Sequence, residues 1–112
     1  LNKTYVIDFS EVCLAPPAYD LGSFLQQLSF QPRKNIDDEI FAGLEKIFLD
    51  TYFEKYNCDK KERKKNLKMI NLYKAWTALK STIWYIGFKE DKPKTIERLI
   101  NQAEKFLDIY EK

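Results

Sequence analysis

Between Asp59 and Ile86 the chain runs without a single Gly or Pro. Within that stretch Leu72, Ala75, Trp76, Leu79, Ile83 and Ile86 recur at helical spacing, with Met69, Tyr73 and Trp84 widening the apolar arc. A segment of this length and period can only be a long helix. Asp59, followed three residues later by Glu62, opens it with the spacing of a capping box, and Gly87 is the residue type that ends it. A helix of that size with so wide an apolar arc is expected at the centre of the fold.

The other segments are built around it. Asp20 precedes Leu21, Phe24, Leu25 and Leu28, a helical repeat that predicts a helix over residues 20–31, with Asp20 as its N-cap and Pro32 as its stop. Pro16 and Pro17 are read as an extended loop ahead of it. Asn35 and the acids Asp37, Asp38 and Glu39 mark the start of a helix over 36–56, with Ile40, Leu44, Ile47, Phe48 and Tyr52 as its apolar stripe. The central helix is expected over 60–87. Pro93 suits the first turn of a last helix over 94–111, where Ile96, Leu99, Ile100, Ala103, Phe106, Leu107 and Tyr110 repeat. Residues 4–8 are β-branched and aromatic and predict one short strand, whose ladder partners are not evident elsewhere in the sequence. The expectation is a mainly α fold, about four helices and one N-terminal strand, forming a single helical unit over residues 1–112. The chain starts at Leu1 directly before that strand, so further sequence is expected upstream.

Composition removes several functions. A net charge of +2 with 32% charged residues gives no field that would draw nucleic acid. The cluster Lys60, Lys61, Arg63, Lys64, Lys65 and Lys68 has no interleaved aromatics, and a solvated helix face is preferred to an acidic-ligand site. With no histidine, and with Cys13 and Cys58 far apart, Cys/His zinc sites and Cys-His nucleophiles are excluded, and the cysteines are read as free thiols in preference to a disulfide. No apolar run approaches the roughly 18–20 residues that span a bilayer, and no export signal is present; no membrane partner and a cytoplasmic location are expected.

The stretch that carries chemistry is Val6 to Leu25, VIDFSEVCLAPPAYDLGSFL. It resembles the second signature of the aminoglycoside phosphotransferase and choline kinase family, where a strand ends in Ile-Asp-Phe or Ile-Asp-Trp and a later Pro and Asp-Leu-Ala or Asp-Leu-Gly open a helix. Ile7-Asp8-Phe9 and Pro17-Ala18-Tyr19-Asp20-Leu21-Gly22 occupy those places. Leu14-Ala15-Pro16-Pro17 departs from the family's more usual Gly-Asp-Pro.

The resemblance implies the C-terminal part of a protein-kinase-like α+β fold and an ATP-dependent phosphotransferase acting on a hydroxyl of a small-molecule acceptor. Asp8 looks like the aspartate that binds the magnesium bridging the nucleotide phosphates. Asp20 would cap its helix and hydrogen-bond the backbone of the catalytic loop. Tyr73, Trp76 and Trp84 sit where the family builds its acceptor pocket, although core packing also accounts for aromatics on an apolar stripe. The glycine-rich loop, the ATP-binding lysine and the His-Gly-Asp-x-x-x-x-Asn loop are absent, so no catalytic residue is assigned within this chain. The missing upstream lobe and catalytic loop would be its partner, with ATP and Mg2+ as cofactors, and the chain alone is expected to be inactive. The alternatives from other classes are a stand-alone helical interaction module and a catalytically degenerate kinase-like scaffold.

Overall fold

The computed structural model describes residues 2–8, 12–30, 37–88 and 92–112. Phe9 of the Ile-Asp-Phe motif, Pro32, Asn35 and the start of the turn before Pro93 lie outside the described residues. Four helices are present: α1 (Pro17–Phe30), α2 (Asp38–Lys55), α3 (Lys60–Phe88) and α4 (Pro93–Glu111). The mainly helical class is as expected. None of the four is long and apolar enough to cross a membrane.

The caps explain the boundaries. The Asp37 carboxylate accepts from the Ile40 N–H at 2.9 Å and starts α2. Asp59 does the same for α3, accepting from the Glu62 N–H at 2.8 Å. Pro93 occupies the first turn of α4, where its missing N–H would have had no partner anyway. The end of α2 closes through two reversed bonds, Cys58 N–H to Phe53 O at 3.3 Å and Asn57 N–H to Glu54 O at 3.2 Å. Asn57 between them is left-handed at φ 57. This is the Schellman arrangement, with Asn in the place that favours Gly.

Three expectations are corrected. Helix α1 begins at Pro17, not Asp20, so Asp20 lies inside the first turn and is not the N-cap. Pro17 was read as a helix breaker, but at the first position proline has its φ preset and loses no bond; Tyr19 N–H already donates to Pro16 O at 2.9 Å. The strand over 4–8 is not formed: residues 2–8 are exposed, and no strand occurs among the described residues. A lone β segment without a ladder partner has no reason to hold strand geometry.

The third correction concerns which faces are buried. Helix α3 is central and packs against both α1 and α4, but Trp76, Leu79, Ile83 and Ile86 of the expected stripe are exposed, Trp76 at 52%. It buries Ala75 of that stripe and, outside it, Ile70, Lys74, Thr77, Ala78 and Thr82. Small side chains let helices approach closely, and α1 meets α3 through Gly22. Helix α2 likewise buries Leu49 and Phe53, while Ile40, Leu44, Ile47 and Phe48 stay exposed. Two cores result. Ala18, Leu21, Leu25, Leu49, Phe53 and Ile70 join α1, α2 and α3, and Ala78, Leu99 and Ala103 join α3 to α4.

Candidate functional site

A cleft of about 790 Å³ lies along α1 and the C-terminal half of α3, with Asp8 and Cys13 from the segment before α1 contributing to its rim. Helix α1 supplies Tyr19, Asp20, Ser23 and Gln26; α3 supplies Thr77, Lys80, Ser81 and Trp84. On each helix the positions are either adjacent or three residues apart, which keeps them on one face. Two helices in close contact thereby present a double row of polar side chains to the same space.

Of the residues singled out from the sequence, Asp8, Asp20 and Trp84 line this cleft. Tyr73 does not; it is half-buried behind α1, its ring 5.2 Å from that of Tyr19 in an edge-on contact. Trp76 is exposed and lines neither this cleft nor the groove described below. Asp8 has φ 63, the left-handed region that Asp tolerates better than most residues but still at some cost. Trp84 contacts the Tyr85 ring edge-on at 5.2 Å, giving the cleft an aromatic wall.

The floor is a hydrogen-bonded layer that no sequence signal revealed. The Thr77 hydroxyl donates to Tyr73 O at 2.8 Å, so the 2.9 Å contact between Ser23 and Thr77 has Ser23 as donor. Gln26 Nε2 donates to Gln102 Oε1 of α4 at 3.0 Å. Lys80 adds a cation to the lining of the cleft that also holds Asp8 and Asp20. These residues were invisible in the sequence because Ser, Thr and Gln at helical positions read as ordinary surface.

A second groove, about 940 Å³, lies between α2, α3 and α4. Its charges are largely paired: Lys46 with Asp50 at 2.6 Å, Arg63 with Asp50, and buried Lys74 with Glu45. Lys46 and Arg63 hold the Asp50 carboxyl below its ordinary value. The basic cluster at the start of α3 is the solvated face expected, apart from half-buried Arg63, which also lies over the Phe53 ring. Cys13 and Cys58 are free thiols, and burial with Glu62 and Asp59 nearby raises the Cys58 thiol. Burial, then Tyr56, Cys58 and Asp20, raise the Tyr52 phenol.

Among the described residues no group of three or more His, Cys, Asp or Glu side chains is placed to hold a metal. No family model, no curated protein and no solved structure matches the chain.

Proposed function

We propose that this chain is the C-terminal helical part of a cytoplasmic ATP-dependent phosphotransferase acting on a hydroxyl of a small molecule, with the cleft beside α1 as the site. One observation carries the reading: Asp8 and Asp20, which bear the phosphotransferase-like signature, line the same cleft as Trp84, an aromatic from the distant end of α3. The glycine-rich loop, the ATP-contacting lysine and the catalytic loop would come from sequence outside this chain.

The donor set suits magnesium bound through nucleotide. Mg2+ takes one or two carboxylates, keeps several waters and completes its shell with phosphate oxygens, whereas a closed protein cage needs more ligands than the described residues bring together. Asp8, an exposed oxygen donor at the rim, would hold the ion. Bound there, the ion would offset charge developing on the transferred phosphoryl group. Asp20 sits at the positive end of α1 and would accept hydrogen bonds from the catalytic-loop backbone, positioning that loop. Trp84 and Tyr85 would flank the acceptor and exclude water from it.

The test is made in the protein carrying its upstream lobe. Asp8→Asn keeps side-chain size and removes the charge, so turnover should fall at least several hundredfold if that charge contributes about 4 kcal/mol to the transition state. Asp20→Asn should lower turnover and stability together and modestly. Wild-type turnover by Asp8→Asn with a panel of hydroxylated acceptors would remove the metal assignment.

The exposed row Trp76, Leu79, Ile83 and Ile86 favours a second reading, a helical interaction module. That reading expects no binding of magnesium-ATP at millimolar nucleotide, which isothermal calorimetry decides.

A further inference from the structure

Gln26 is 1% exposed, yet its amide is only half used. Nε2 donates to Gln102 Oε1 at 3.0 Å, Gln102 Nε2 donates to Ser29 Oγ at 3.4 Å, and the Ser29 hydroxyl donates to the Gln26 carbonyl at 2.7 Å. This directed chain favours nitrogen on the branch of the Gln26 amide that meets Gln102, because flipping Gln26 alone would set oxygen against oxygen there. Gln26 Oε1 is left buried with no hydrogen-bond partner among the described residues. A buried acceptor without a donor is costly and rare, and it calls for a partner.

The neighbouring hydroxyls do not supply that donor. The Thr77 proton is committed to Tyr73 O and the Ser23 proton to Thr77 Oγ1. Gln26 lines the cleft that holds Asp8, Asp20 and Trp84, while Gln102, to which its nitrogen is turned, lines the other groove. The oxygen branch is thus on the side of the cleft.

We propose that Gln26 Oε1 is a specificity-determining acceptor: it takes a hydrogen bond from an O–H of the small molecule bound in this cleft, and so selects a ligand carrying at least one hydroxyl besides any that reacts. This rests on the reading of the cleft as an acceptor pocket. The oxygen is covered in the ligand-free chain, so the proposal requires a local rearrangement that uncovers it when the ligand binds. An ether in the same place has no proton to give, and a site built around a buried polar atom rejects such an analogue more strongly than one that differs only in size.

The experiment uses the full chain, labelled with nitrogen-15, and a matched pair of probes: trans-1,2-cyclohexanediol and trans-1,2-dimethoxycyclohexane. The diol should shift the Gln26 side-chain amide resonances and bind at least tenfold more tightly than the diether. Gln26→Met should remove that preference while the melting temperature shows the variant folded. If Gln26→Met does not fold, Gln26→Glu, which keeps an acceptor oxygen, should retain the preference for the diol. Equal binding of both probes, an unshifted Gln26 amide, or wild-type preference in Gln26→Met would overturn the proposal. No nucleotide or metal is present, so the result does not depend on Asp8 holding magnesium; Asp8 and Asp20 also line the cleft as acceptors, and the comparison with Gln26→Met separates their share of the preference from that of Gln26. A positive result with no phosphoryl transfer discards the kinase reading alone, and the reverse outcome discards only the role of Gln26.

Discussion

Gly22 and Tyr73 mark a close approach of α1 and α3: a Cβ added to Gly22 would stand 2.7 Å from the Tyr73 Cβ and 2.8 Å from the Ile70 carbonyl oxygen. Neither atom is the far end of a flexible side chain, so a larger residue can be accommodated only by moving the helices apart. Gly22→Ala recovers about 1 kcal/mol of helix propensity but overpacks a contact of the kind that costs roughly 1–3 kcal/mol. A net loss is expected, larger for Gly22→Val, and urea denaturation measures it. A raised midpoint for Gly22→Ala would mean that the two helices stand further apart than this.

Asn57 supplies the left-handed residue at the end of α2. Glycine adopts that conformation without steric cost and a β-branched residue does so least readily, so Asn57→Gly should be neutral or stabilising by a few tenths of a kcal/mol, and Asn57→Val should lose about 1–2 kcal/mol. Thermal melts of the two variants should move in opposite directions or, at the least, differ by several degrees. Equal melting temperatures would remove the case for a left-handed cap.

Helix existence was legible in the sequence because caps and periodicity agree. Asp59 and Pro93 each stand where the structure starts a helix, whereas Asp37, read as one of three acids following an Asn35 cap, is itself the N-cap of α2. The start of α1 was not, because Pro17 breaks a helix from within but opens one from its first position. Nor were the buried faces. Apolar arcs on α2 and α3 are wide, and which part of an arc is covered depends on what meets it: Gly22 and Ala78 admit a neighbouring helix where Trp76 and Ile83 would hold it off. In the cleft, Asp8, Asp20 and Trp84 came from the motif and its family, whereas Ser23, Gln26 and Thr77 become a site only through the contact of α1 with α3.

Asp50 gives a pH signature. Its carboxyl is held down by hydrogen bonds from Lys46 and Arg63. A group whose folded-state value is depressed contributes stability that is fully present above its unfolded value and is lost as pH falls through the folded one. The contribution should therefore be intact at neutral pH and fade only below the ordinary carboxylate range. Asp50→Asn should lower the melting temperature slightly near pH 7, and the difference between the two proteins should shrink as pH falls below the ordinary carboxylate range. A difference that grew on acidification would have the wrong sign.

Lys74 and Glu45 present the reverse situation, a charge pair inside the molecule. The Lys74 side chain is 6% exposed and that of Glu45 22%, and the Lys74 ammonium also lies 5.1 Å from the centre of the Phe106 ring. The ammonium has the less access to water, so losing its partner should be worse than losing the lysine. Glu45→Leu leaves a buried cation with only a ring face to meet it, and about 3–5 kcal/mol of stability should go. Lys74→Met keeps the length and apolar stem of the side chain and leaves Glu45, which retains contact with solvent, so the loss should be smaller. The double variant Glu45→Leu/Lys74→Met removes both desolvated charges and should recover most of the single Glu45→Leu loss. The four proteins form a cycle whose coupling is read from denaturant midpoints at one pH. Additive losses would show that the two charges are not joined across α2 and α3 in solution, and Lys74 would then have to reach water by another route.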